Sequence, residues 1–164
     1  MEVPVLGGAR RRQVTFWERR EVGPISAIHP MTKKVIKVYP QRDARIGTDL
    51  SAELRRLPGL LSWWLALRDE AEKHVKEMRH EEHNVDEDLY EEYRGKAVKA
   101  ATETSIKMAV KRDPRMRKAF RARMDAEDMH RRLKSAVEAV LEKRWSLQAL
   151  VKNAALERGT KDHA

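Results

Sequence analysis

The chain has no cysteine, so it can form neither disulfides nor cysteine-based zinc sites, and nothing points to an oxidising compartment. Aromatic residues are scarce, at 5% of 164 residues. Two Phe and three Tyr cannot fill a large compact interior. Helices packed side by side, or subunits packed on one another, suit this composition better. No apolar run approaches the roughly 20 residues of a membrane span. Residues 1–12 lack the apolar stretch of a secretory signal, so a cytoplasmic protein with no membrane partner is expected. Asn and Gln are also sparse among dense charge, a bias shared with thermophile proteins. Phosphate-cradling glycines are missing too. Gly7-Gly8 stands alone, with no Lys-Ser/Thr after it. No serine sits in a nucleophile setting, so no catalytic residue, cofactor or enzymatic activity is expected.

Charge, by contrast, is abundant, at 37% of residues, and the net charge is +9. Its distribution is uneven. Residues 1–50 carry ten Lys/Arg and five Asp/Glu, residues 51–93 six and twelve, and residues 94–164 nineteen and nine. An acidic middle between basic flanks implies two surfaces with different partners. One would meet phosphates. The other would meet a basic protein surface or another copy of the chain.

Four of the six prolines (Pro4, Pro24, Pro30, Pro40) and four of the seven glycines (Gly7, Gly8, Gly23, Gly47) fall in residues 1–47. Such punctuation disfavours helix. Between the breaks lie β-type runs, Val14-Thr15-Phe16-Trp17 and Val35-Ile36-Lys37-Val38-Tyr39. A hairpin is expected with its turn near Pro30 to Lys33. Residues 1–47 thus read as a basic arm with a short hairpin, either docked or mobile.

From Thr48 the texture becomes helical, and residues 48–158 read as a helical domain for DNA binding and oligomerisation. A short helix capped by Thr48 or Asp49 is expected to give way at Pro58 to a long one. The long helix would carry Trp64, Ala71, Val75, Met78, Val85 and Leu89 on one stripe, interrupted by Glu82, and stop at Gly95. Thr102 would cap a third helix. Asp113-Pro114 would start a fourth, reaching about Glu157. Its seam is Met116, Ala119, Ala126, Leu133, Val137, Val140, Leu147, Val151 and Ala154, broken by Arg123, His130 and Arg144. Leu141 and Trp145 widen the apolar face, so Leu133, Val137, Val140, Leu141, Trp145, Leu147, Leu150 and Val151 are expected to mediate self-association. Residues 159–164 read as a flexible tail. The expected fold is mainly α: long antiparallel helices in a hairpin or bundle that self-associates, with a small N-terminal β-hairpin.

Three constellations bear on chemistry. His80-Glu81-Glu82-His83 lacks the i, i+4 histidine spacing of zinc proteases, because position 84 is Asn; a solvated face outweighs a metal site shared with His74. The acidic run Asp86, Glu87, Asp88, Glu91 and Glu92 lies on an exposed helix, which suits docking of a basic partner better than catalysis. The strongest local feature is basic. Lys107, Lys111, Arg112, Arg115, Arg117, Lys118, Arg121 and Arg123 fall within seventeen residues, offset before Asp125 only by Glu103 and Asp113. Taken as unpaired, they form a phosphate-backbone footprint rather than an ordinary solvated face. Arg10, Arg11 and Arg12, followed by Phe16 and Trp17, form a second nucleic-acid candidate, weighed evenly against a flexible basic tail.

Several pieces recur in a familiar order. Leu54-Arg55-Arg56-Leu57-Pro58 leads into Trp63-Trp64-Leu65. A helix end follows with Tyr90, Tyr93, Gly95 and Lys96. Thr102-Glu103 and Ser105-Ile106-Lys107 precede Asp113-Pro114. The last helix carries Leu133-Lys134, Ala136-Val137-Glu138-Ala139 and Leu147-Gln148-Ala149-Leu150-Val151. Over roughly residues 50–155 this order resembles the phage recombination mediators typified by UvsY. The resemblance implies a non-enzymatic protein of DNA recombination, repair and replication. It implies ring-like homo-oligomers built through C-terminal helices. Such rings bind single-stranded DNA and help a RecA-like recombinase displace single-strand binding protein. One departure matters: where the type member carries a basic Leu-Lys-Ala-Arg stretch, this chain has Asp86-Glu87-Asp88-Leu89. DNA contacts are therefore expected at the basic run and at Arg10 to Arg12. Two other classes compete: a phage factor that grips a host enzyme such as RNA polymerase through its hairpin, and a helical virion or scaffold protein.

Overall fold

The computed structural model describes residues 23–96 and 102–161. The order is β1 (Ile25–Ile28), β2 (Val35–Val38), α1 (Pro40–Ala44), α2 (Leu50–Lys96), α3 (Glu103–Arg112) and α4 (Pro114–Lys161). The protein is mainly α-helical, with long helices and one two-stranded antiparallel sheet.

The hairpin forms where the alternation requires it. Ile25 pairs with Val38 and Ile28 with Val35. The loop between them closes through His29, whose carbonyl accepts from Lys33 N at 2.9 Å. The His29 Nδ1 accepts from Met31 N and Thr32 N, each at 3.2 Å. Lys33 takes a left-handed φ of 57°, the one non-glycine residue to do so among those described. A lone hairpin is marginal in water. This one is docked: Ile25, Ala27 and Val38 are buried in the same core cluster as Trp64, Leu67, Leu133 and Val137. Hairpin and helices therefore share one hydrophobic core, and the docked alternative holds for this part of the arm.

A short helix, α1, appears in what had read as punctuation. Pro40 supplies its fixed φ at the first helical position and is buried. Asp43 then meets the main helices: Trp64 Nε1 donates to its Oδ2 at 3.2 Å, and Lys143 Nζ donates to its backbone oxygen at 3.0 Å. Lys143 is buried and also pairs with Glu53. Gly47 N donates to Glu53 Oε1 at 3.3 Å, and a Cβ on Gly47 would stand 2.9 Å from that oxygen. Glycine at 47 thus leaves room for the carboxylate. Lys143 holds the Glu53 carboxyl below the usual carboxylate range.

The expected break at Pro58 does not occur. Helix α2 runs through it from a cap at Asp49, whose Oδ1 accepts from Ser51 N and Ala52 N at 3.0 Å each. Proline removes one rung of the helical ladder. The turns on both sides are held from outside the helix, with Leu57 buried and Leu54, Leu60 and Leu61 packed on the core. Packing outweighs the local penalty. The helix also passes Gly95 and is described as far as Lys96. Helix α3 is capped by Thr102, whose hydroxyl accepts from Ser105 N at 3.3 Å. Helix α4 extends to Lys161, so residues 159–161, expected in the tail, are helical; residues 162–164 lie outside the described set.

Helices α2 and α4 pack antiparallel. Glu53 meets Lys143, Arg79 meets Glu127, Glu82 meets Arg123 and Glu92 meets Arg115. The two polar interruptions of the expected seams, Glu82 and Arg123, pair with each other across the interface, and both are largely shielded from solvent. Most of the core lies where the hairpin, the first half of α2 and the middle of α4 converge. The other end is a thinner layer, where Leu89, Ile106, Val110 and Ala126 are buried.

Candidate nucleic-acid interface

The basic residues gather at the corner between α3 and α4, and Asp113 builds that corner. Its N–H donates to Ala109 O and Val110 O, closing α3. Its Oδ1 accepts from Arg115 N at 2.7 Å, opening α4. Its Oδ2 accepts from Tyr93 Oη at 3.2 Å and from Arg115 Nη2 at 3.1 Å, tying the corner to α2. The Arg115 guanidinium and N–H hold the Asp113 carboxyl down to about 2. The corner is thus a fixed platform. Lys111 and Arg112 occupy the last turn of α3; Arg117, Lys118 and Arg121 occupy the first turns of α4.

The sequence reading took these cations as unpaired, and that needs correction for several. Lys107 Nζ meets Glu103 at 2.6 Å on its own helix. Arg115 meets Glu92 at 2.9 Å. Arg123 is enclosed by Glu82 and Glu127. Glu103 was visible as an offset along the chain, but Glu92 and Glu82, which lie across the helix pair, were not. Lys111, Arg112, Arg117, Lys118 and Arg121 are exposed and have no acidic partner among the described residues. Lys111 and Arg112 lie in the last turn of α3, where the macrodipole favours cations; Arg117, in the first turn of α4, is placed against it. The first turn of α4 has no acidic residue, and cations there face the positive end of the macrodipole. Helix stability therefore does not account for Arg117.

Sequence reasoning missed a residue here. Phe120 is 46% exposed on the outward side of α4, between Arg117 and Arg121, and Met124 is exposed one turn further on. The Arg123 guanidinium lies 5.0 Å from the Phe120 ring centroid. The available signal was an aromatic residue inside the basic run and off the apolar seam.

The acidic run borders this surface rather than standing apart. Glu92 is held by Lys96 at 2.6 Å and by Arg115. Glu87 lies 3.2 Å from His83 Nε2. Asp86, Asp88 and Glu91 are exposed, with no ion-pair partner among the described residues. A groove between α2 and α4 has an apolar floor of Val85, Leu89, Ala119 and Ala122. Glu81 and Asp88 stand on one wall, Arg115 and Lys118 on the other. A phosphate chain is repelled from that acidic edge and favoured on the outer face of α4.

The expected assembly set divides. Leu133, Val137, Val140 and Leu147 are buried inside the chain's own core, and Leu141 packs against it. They are consumed by the α2–α4 contact, which corrects the reading of a single wide intersubunit face. Trp145, Leu150 and Val151 remain exposed, Trp145 at 67%. Arg10, Arg11 and Arg12 lie outside the described residues. Among the described residues no group of three His, Asp or Glu side chains is arranged to hold a metal, and no helix is long and apolar enough to cross a membrane. No protein-family model, curated protein sequence or solved structure matches this chain.

Proposed function

We propose that this chain is a non-enzymatic, cytoplasmic, single-strand DNA-binding protein of the recombination-mediator type. It gathers single strands on the α3–α4 corner and passes them to a RecA-like recombinase as single-strand binding protein leaves. The observation that carries the binding half is the set of five exposed cations, Lys111, Arg112, Arg117, Lys118 and Arg121, without acidic partners on a rigid corner. The mediator half rests on the order of motifs over residues 50–155. The mechanism is electrostatic: each neutralised phosphate releases counterions, and ring assembly multiplies weak contacts into avidity.

The test is fluorescence anisotropy of labelled oligo-dT with unlabelled duplex as competitor. Duplex should compete poorly. The logarithm of affinity should fall with the logarithm of salt at a slope of up to about −3.5 per subunit, if all five cations engage a single strand. Charge reversal at Lys111, Arg112, Arg117 and Lys118 should flatten that slope and abolish most binding. An unchanged slope and affinity would remove the reading.

One observation favours a second reading. Met31, Val35 and Tyr39 on the hairpin are exposed, Met31 at 88%, and suit a factor that grips a host enzyme. Replacing Met31 and Val35 with Ser spares the core. Loss of function with oligo-dT binding intact would favour the gripping factor.

A further inference from the structure

We propose that Phe120 is a base-stacking platform, so that the outer face of α4 takes an unpaired nucleic-acid strand rather than a duplex. The inference rests on the single-strand reading above and names the group that makes the distinction.

The geometry follows from the helix. Arg117 and Arg121 are one turn apart on one row, about 6 Å along the axis. Phe120 and Met124 form the adjacent row, also one turn apart. Both rows are exposed beside the α2–α4 seam, on which Ala119, Ala122, Arg123 and Ala126 lie, with Phe120 nearest to it through Arg123. The helix thus offers parallel tracks to solvent, one cationic and one apolar. A nucleic-acid strand has the same two tracks, phosphates on one side and base faces on the other. In a duplex the base faces are stacked inside and only phosphates reach a flat helix surface. In a single strand a base can leave its neighbours and lie on a ring.

Phe120 is suited to this role. It is 46% exposed, so a large part of the ring is open to solvent. The guanidinium of Arg123 lies 5.0 Å from its centroid, and its ion pairs with Glu82 and Glu127 keep that guanidinium in place. The ring is therefore oriented before a base arrives, which lowers the ordering cost of binding. The acidic wall at Glu81 and Asp88 lies across the seam and directs the strand to the outer face.

The experiment compares oligo-dT, an abasic phosphodiester of equal length and duplex DNA, using intact protein and the variants Phe120→Ala and Phe120→Tyr. The Ala variant should fold, because the site is on a helix surface and alanine favours helix. Wild type should prefer oligo-dT to the abasic strand. Phe120→Ala should weaken oligo-dT binding by about 5- to 100-fold while leaving the abasic affinity and the salt slope unchanged. Phe120→Tyr should keep the preference. The platform is overturned if Phe120→Ala leaves oligo-dT affinity intact, or weakens oligo-dT and abasic binding equally. In either case charge reversal at Lys111, Arg117 and Arg121 still reports on the electrostatic site, so that site can stand while the platform falls. Tighter binding to anionic phospholipid vesicles than to oligo-dT would overturn both, assigning Phe120 and Met124 to lipid.

Discussion

Asp113 shows how much one residue can connect. Its backbone closes α3, its carboxylate opens α4, and the same carboxylate reaches Tyr93 on α2. Arg115 holds its pKa at about 2, below the usual 3.8. A depressed folded-state pKa contributes stability that is fully present above the unfolded value and is lost as pH falls through the folded one. The melting temperature should therefore drop as pH falls from about 4 towards 2. Asp113→Asn should melt lower at neutral pH, show a shallower drop over that window and converge with wild type at its acid end. Thermal melts followed by circular dichroism across the pH series check this, and an Asn variant that parallels wild type throughout would assign the acid sensitivity to other carboxylates. Glu92 and Glu127, also depressed by their cationic partners, lose their contributions as pH falls below the ordinary glutamate value.

At the scale of the element, α2 and α4 are each close to 50 residues long, at 47 and 48, and neither is strongly amphipathic along its whole length. They persist because each lies on the other. The pairing register is marked by Glu82 with Arg123 and Arg79 with Glu127. The Arg79 pair is half in solvent and contributes little stability, whereas Glu82 and Arg123 are shielded and each would be left unpaired by a slip of register. Pro58 is the weak point of α2. It sits in the helix interior, exposed, with no N–H to give to the preceding turn. Pro58→Ala should stabilise the protein by about 1–3 kcal/mol, measured by urea unfolding. A destabilised variant would mean that Pro58 maintains a bend the core requires.

At the scale of the molecule, the division of the apolar residues of α4 separates folding from assembly. Leu147 is fully buried, whereas Trp145, Leu150 and Val151 face solvent. Leu147→Ala should cost about 2–5 kcal/mol of stability. Replacing Trp145, Leu150 and Val151 together with Ser should leave the melt nearly unchanged but shift sedimentation to smaller species, if these residues join copies of the chain. A normal sedimentation profile would place assembly elsewhere. Removing residues 1–47 is a poor probe of the same question, because Ile25, Ala27 and Val38 belong to the core and their loss uncovers Trp64 and Leu67.

What the sequence determined by itself was local. The turn at His29 to Lys33, the caps at Asp49, Thr102 and Asp113, and the seams of α2 and α4 all follow from interactions spanning one or two turns. Residue type and spacing encode those directly. The basic run was legible for the same reason. What tertiary structure decided was which partner each group meets. Lys143 finds the Asp43 carbonyl 100 residues away, and Arg79 finds Glu127 48 residues away. Such contacts decided that Pro58 stays inside a helix, that α1 forms, that the hairpin joins the core and that Leu133 and Leu147 are buried within one chain. They also decided which of the clustered cations remain free and that Phe120 faces outward among them. Charge and apolarity are properties of a residue, but pairing and exposure are properties of its neighbours, and these are set only when distant segments pack.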